Sequence, residues 1–195
     1  YIRVIPRLDI KGPNLVKGIH LEGLRALGRP EDFASYYYEQ GADEISYQDV
    51  VASLYGRNSI ADLVSSTARR AFVPLTVGGG IRTTADARHL IRSGADKVCV
   101  KTAALANPAL IGAIANEHGA QAVVVGIEAR RHDGCWLAMT DCGRENTNRD
   151  AIEWAVEAER SGAGEIMLTS IDQEGTMGGF DLTLIETVRE RVQIP

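Results

Sequence analysis

The chain has 195 residues, 45% of them apolar, and a net charge of −5. That is enough apolar material for one full core over residues 1–195, and the wrong sign of charge for a nucleic-acid footprint. No apolar run approaches the ~20 residues that cross a bilayer, so neither a membrane nor a nucleic-acid partner is expected. Cys99, Cys135 and Cys142 make an odd count without CxxC spacing. This argues against a zinc site or a disulfide framework and for a reducing compartment, the cytoplasm; a Cys135–Cys142 bridge is the remaining option. His20, His89, His118 and His132 lack ligand spacing, so no metal and no cofactor is expected. Tyr1 stands first with no signal peptide visible, and a longer natural chain is expected.

Along the chain, short apolar runs alternate with longer amphipathic ones. The apolar runs are RVIPRLDI (3–10), EISYQDV (44–50), VPLTVGG (73–79), KVCV (97–100), QAVVVGIEA (121–129) and EIMLTS (165–170). They are rich in Val and Ile, mostly without strict alternation, and read as strands with apolar material on both faces. Between them PEDFASYYYEQGA, NSIADLVSSTARRA, TADARHLIRSGA, NPALIGAIANEHGA and NRDAIEWAVEAERSGA read as helices. Gly-Ala pairs at 41–42, 94–95, 119–120 and 162–163 close four of them, with glycine supplying the left-handed turn.

A βα unit repeated six times predicts a doubly wound sheet or a (βα)8 barrel. Even spacing, with units roughly 25–45 residues apart, favours the barrel. So does the gathering of Asp9, Asp49, the glycines, Lys101, Glu128 and Asp172 at the C-terminal ends of the strands. A faint two-fold repeat pairs IPRLDI with VVGIEA and the segment 36–45 with 158–166, as two four-unit halves would. Six parallel strands cannot close, so an incomplete barrel is expected, with about two more units in the natural protein.

Three groups carry chemistry. Asp9 and Glu128 end the first and fifth runs; in a barrel these strands face each other, so two carboxylates can flank one small substrate as acid and base. The alternative is that they cap nearby amides. Gly78–Gly80, then Lys101-Thr102, and then EGTMGG with Gly175 and Thr176 offer exposed N–H groups, hydroxyls and a cation suited to phosphate. The alternative is tight turns that need glycine for steric reasons. Arg3, Glu44, Lys97 and Glu165 begin four of the runs and can ring the floor of a barrel, either as a device or as a solvated stability network. Trp154 lies on an amphipathic helix as a core residue, and Trp136 sits in a hairpin.

With RVIPRLDIKGPNLVKG, GADEISYQDVVAS, PLTVGGGIR, GADKVCVKTAALANP, QAVVVGIEARRHDG and GAGEIMLTSIDQEGT in view, the chain resembles, almost end to end, the cyclase subunit of imidazole glycerol phosphate synthase, the HisF family of (βα)8 barrels. The resemblance implies a glutaminase partner at the barrel floor and ammonia passing through the barrel to a substrate with two phosphates. There it adds to a ribulosyl carbonyl, the imidazole ring closes, and aminoimidazole carboxamide ribonucleotide leaves. It assigns acid–base work to Asp9 and Glu128. One phosphate falls to Gly80, Lys101 and Thr102. The other falls to Gly175, with Thr169, Asp172 and Glu174 in the substrate site. Lys17 belongs to a mobile first loop, and Arg3, Glu44, Lys97 and Glu165 form the charged ammonia gate.

Three positions depart from the family pattern: Glu128 replaces aspartate, Lys101 asparagine and Glu174 aspartate. One added methylene moves a carboxylate by about 1.5 Å, enough to cost ~10²-fold. SLYGRN (53–58) and RLDI resemble instead a paralogous branch of surface-polysaccharide clusters, in which the ammonia serves acetamidino-sugar formation. A non-catalytic ammonia conduit and the related phosphoribosyl isomerase of histidine biosynthesis are the alternatives.

Overall fold

The computed structural model describes residues 2–52 and 60–195; SLYGRN lies outside the described residues. These contain ten strands and seven α-helices, an α/β fold with a mixed sheet. The chain divides into two compact units, Tyr1–Lys17 with Arg25–Cys99, and Gly18–Leu24 with Val100–Pro195.

In the first unit, β1 (Arg7–Lys11), β4 (Ile45–Asp49), β5 (Leu75–Gly78) and β6 (Lys97–Val100) run parallel in that order. An antiparallel strand β2 (Asn14–Ile19) lies beyond β1, with β3 (Glu22–Gly28) next to it. Residues 3–6 precede the first strand. Pro6 has no N–H for a ladder, yet Val4 and Pro6 still accept from Asp43 N and Ser46 N at 3.0 Å.

The helices are α1 (Pro30–Glu39), α2 (Ala61–Ala68) and α3 (Thr84–Arg92). Pro30 at the start of α1 supplies a ready-made helical φ. Thr83 and Asp86 close a reciprocal capping box on α3. Gly41 and Gly94 have φ of +86° and +114°, the left-handed turns expected of the Gly-Ala pairs.

The register shows an alternation that the sequence reading missed. Leu8, Tyr47, Val77 and Val98 occupy one face, while Arg7, Asp9, Ser46, Gln48, Thr76 and Lys97 occupy the other. Tyr47 marks the first face as the helix side, since its hydroxyl meets Thr67 Oγ1 of α2 at 2.7 Å. The opposite face is polar yet buried: Glu44, Ser46 and Thr76 are each 3% exposed and Gln48 1%. Alternation usually marks one wet face; here both faces are dry, and these runs looked apolar throughout only because β-branched residues dominate the helix side.

The second unit contains α4 (Thr102–Ala106), α5 (Ala109–His118), β7 (Val123–His132), β8 (Cys135–Thr140), β9 (Glu145–Asp150), α6 (Ala151–Arg160), β10 (Glu165–Ser170) and α7 (Leu182–Arg191). β10 pairs parallel with β7, and β7–β8–β9 form an antiparallel meander. Asp133 and Gly134, both with positive φ, make the turn between β7 and β8. Asp150 caps α6 by accepting from Ile152 N and Glu153 N, and Trp154 is buried as expected. Gly119 and Gly162 complete the four left-handed helix ends. Cys135 and Cys142 are not joined in a disulfide. Among the described residues, no helix is long and apolar enough to cross a membrane.

Candidate active site

Asp9 sits in the middle of β1, in register with Gln48 on β4. It is 7% exposed, and its Oδ1 accepts from Arg7 Nε at 2.8 Å. Arg7 lies two residues earlier on the same face, so strand pleating alone brings the pair together. Glu128 holds the matching place in the second unit: it sits on β7 in register with Thr169 on β10, and is 5% exposed. Its Oε1 meets Lys101 Nζ at 2.9 Å. Each acid thus lies within a parallel strand, is buried, and holds a cation. A buried carboxylate without one would carry a desolvation cost of several kcal/mol.

The residues read as phosphate donors have partners inside the protein. Lys101 is committed to Glu128, and Thr102 Oγ1 accepts from Asp141 N at 3.4 Å. Asp172 Oδ2 accepts from Arg131 N at 2.8 Å. The Glu174 carbonyl accepts from His20 N at 2.8 Å. Gly175 has φ +74°, and a Cβ there would lie 2.3 Å from Gly18 O. That glycine is demanded by the tip of the β2–β3 hairpin, which belongs to this unit. His20 also presents Nδ1 to Ile171 O at 2.8 Å, so Nδ1 carries the proton, while Leu21, Met139 and Ile171 form a buried cluster beside it. Lys17 lies exposed on β2 rather than in a loop.

The glycine run after β5 has a steric explanation for two of its members. A Cβ on Gly78 would fall 2.3 Å from Gln48 Oε1, and one on Gly79 would fall 2.6 Å from Asp49 O. Gly79 and Gly80 also have φ of +111° and +71°, where a side chain is strained. The side chain of Gln48 fills the room that Gly78 leaves.

At the other end of the first unit, Glu44 collects three donors: Thr76 Oγ1 at 2.5 Å, Lys97 Nζ at 2.8 Å and Arg3 Nη1 at 2.9 Å. Sequence reasoning found Arg3, Glu44 and Lys97 but missed Thr76, together with Arg7, Ser46 and Gln48. The two-residue spacing of 44, 46 and 48 was the available signal. Glu165 opens β10 in the second unit. On the helix side, burial pushes the Tyr47 hydroxyl up to about 12, outweighing the opposing Thr67 hydrogen bond; Glu31 adds a smaller push in the same direction.

Each unit thus carries a buried acid beside a cation on a strand of an α/β fold, and the first unit adds the buried Glu44 cluster. The family described as histidine biosynthesis protein matches residues 3–195, and the chain belongs to it. Its relatives include a Legionella pneumophila protein, 58% identical over 195 residues, covering 100% of this chain and 92% of the relative. A Bifidobacterium longum protein is 48% identical, covering 100% of this chain and 78% of the relative. An Exiguobacterium sibiricum protein is also 48% identical, covering 99% and 78%. All three are named imidazole glycerol phosphate synthase subunit HisF.

Proposed function

We propose that the chain is a cyclase barrel of the imidazole glycerol phosphate synthase type. It takes ammonia and phosphoribulosyl-formimino aminoimidazole carboxamide ribonucleotide to imidazole glycerol phosphate and aminoimidazole carboxamide ribonucleotide. The names of the relatives support this reading, and one observation carries it. Two buried carboxylates, each beside a cation, stand on β1 and β7, Asp9 in the row of Gln48 and Glu128 in the row of Thr169.

In this reading residues 1–195 belong to one (βα)8 barrel and both acids do acid–base work. Each acid lies beside its cation and takes a proton as ammonia adds to the carbonyl. Once protonated it can return that proton to the departing group. Gly80 and Thr102 backbone amides hold one phosphate, and the Gly175 turn holds the other, with Lys17, Thr169, Asp172 and Glu174 around the substrate. Lys101 serves phosphate only by sharing its ammonium with Glu128.

Arg3, Glu44 and Lys97, joined by Glu165, gate ammonia from a glutaminase partner. Ile2, Val4 and Phe72 are exposed and lie at the N-terminal ends of the strands beside this cluster, an apolar surface suited to a docked subunit. The sugar-amidination branch gains no support from the names of the relatives. Lys101 and Glu128, the two departures that pair with each other, are compatible with cyclisation because the added length of the acid ends on a cation.

The test is product formation from the phosphoribulosyl substrate with ammonium salts alone. Turnover by the wild type, and its loss in Asp9→Asn, is the expected result. Unimpaired turnover in Asp9→Asn would remove that acid from the chemistry, and no wild-type turnover would favour a conduit.

A further inference from the structure

The buried polar face of the first unit contains one group that the reaction scheme does not use. Gln48 is 1% exposed, at the centre of a parallel sheet where apolar side chains are the rule. Its Nε2 donates to Ser46 Oγ at 3.1 Å, and its Oε1 is buried with no hydrogen-bond partner. Turning the amide over only exchanges which atom lacks a partner, because the Ser46 hydroxyl can donate as well as accept. Leaving such a group unmatched is costly, and an apolar residue of the same shape would avoid that cost. Gly78 has no side chain at the point where the amide lies, so the neighbouring strand is cut to fit it.

The position of the residue indicates its use. Glu44, Ser46 and Gln48 share one face of the chain, a span of about 13 Å at ~3.3 Å per residue. One end is the Glu44 ion cluster; the other is the row that holds Asp9. Glu44 is already met by Arg3, Lys97 and Thr76, so fixed donors within the protein already occupy its carboxylate. A neutral amide neither traps ammonium nor protonates ammonia. It offers one acceptor and one donor, the complement of ammonia's N–H groups and lone pair.

We propose that Gln48 is a binding station for neutral ammonia, holding it on the buried face between the Glu44 cluster and Asp9. The proposal rests on the ammonia-using reading above. It makes Gln48 a positioning residue that sets how ammonia reaches the acid, not one that reacts.

A nitrogen-labelled sample of the whole chain tests it without turnover. The Gln48 side-chain amide signal is assigned by its loss in Gln48→Met, a variant that keeps an unbranched side chain against Gly78. Titration with ammonium chloride at alkaline pH, where neutral ammonia is abundant, should shift that signal saturably. Potassium chloride at equal ionic strength should not, and at pH 7 the same total ammonium should shift it much less. Identical responses to the two salts would overturn the proposal and leave Gln48 hydrated by water alone.

Kinetics give a second arm. Gln48→Met should raise KM for ammonium about five-fold, the scale of one lost hydrogen bond, with a smaller effect on kcat and no fall in melting temperature. An unchanged KM with a lowered melting temperature would make Gln48 purely structural. If the wild type shows no turnover, the cyclase reading fails by itself, and the amide titration still decides whether ammonia binds.

Discussion

The two units solve the same local problem differently. In the first, β1 and β4 alternate strictly, with a polar row of Arg7, Asp9, Ser46 and Gln48 behind an apolar row of Leu8, Ile45 and Tyr47. In the second, β7 opens Val123, Val124, Val125, Gly126, Ile127, Glu128, with no alternation and a single acid, before running on to His132. The repeat makes the comparison direct: Glu44, Ser46 and Gln48 correspond to Glu165, Met167 and Thr169. The first column is polar throughout, whereas the second is interrupted by a methionine. Both units keep a buried strand carboxylate, Asp9 and Glu128, so the acid is common to them and the continuous polar face is particular to the first. Burying polar groups costs stability, so that face points to a role in handling a small polar molecule.

The largest expected effect tests the shared feature. Asp9→Asn should lower ammonium-dependent turnover at least ~10²-fold, the scale of one acid–base group. Glu128→Asp should break the contact with Lys101 by drawing the carboxylate back. If activity survives there and not in Asp9→Asn, the two acids are unequal despite their equivalent places.

Lys101→Met should lower stability by about 2 kcal/mol in denaturant unfolding. The value is below the usual range for breaking a buried pair because the ammonium is 20% exposed. Lys97→Ala should cost less, about 1 kcal/mol, since Arg3 and Thr76 still hold Glu44. Its main effect should fall on the coupling between glutamine hydrolysis and product formation when a glutaminase is present. Intact coupling with collapsed stability would return the cluster to a structural role.

The glycines sharpen the contrast. Gly175→Ala places a Cβ against the Gly18 backbone at positive φ, whereas Gly78→Ala meets only the amide end of Gln48. Gly175→Ala should therefore be the more damaging in thermal melts. Trimming Gln48 to alanine should rescue Gly78→Ala, because the two sites share one volume. Equal damage from both glycine variants, with no rescue, would contradict the packing described.

The pH effect, which vanishes at neutral pH, lies on the helix side of the first unit. The Tyr47 hydroxyl ionises near 10 when unfolded and at about 12 when folded. The folded state therefore holds its proton more tightly between those values. The stability this contributes is complete below pH 10 and is lost as pH rises towards 12. Tyr47→Phe should flatten that part of the stability–pH curve; an unaltered alkaline decline would assign it elsewhere.

Much of this was legible from local chemistry. Gly41, Gly94, Gly119 and Gly162 all adopt the turns that their Gly-Ala context implied. The six strand runs appear close to where Val and Ile cluster, and Asp9 and Glu128 stand on strands as read, though β1 and β7 run on past them to Lys11 and His132. The β2–β3 hairpin was not legible, because its turn puts His20 and Leu21 at positive φ, where Asn-Gly is the usual signal. The Lys101–Glu128 pair joins residues 27 apart, and only the folded chain brings them together. The polar face was written in the spacing of 44, 46 and 48, but was hidden by the habit of reading Val- and Ile-rich runs as apolar on both sides.

The most direct test of the cyclase assignment is the fate of labelled nitrogen. The purified chain, given the phosphoribulosyl substrate and nitrogen-15 ammonium chloride without a glutaminase, should release imidazole glycerol phosphate carrying the label in its ring. Substrate that binds but yields no labelled imidazole, under conditions where the chain is folded, would contradict the assignment.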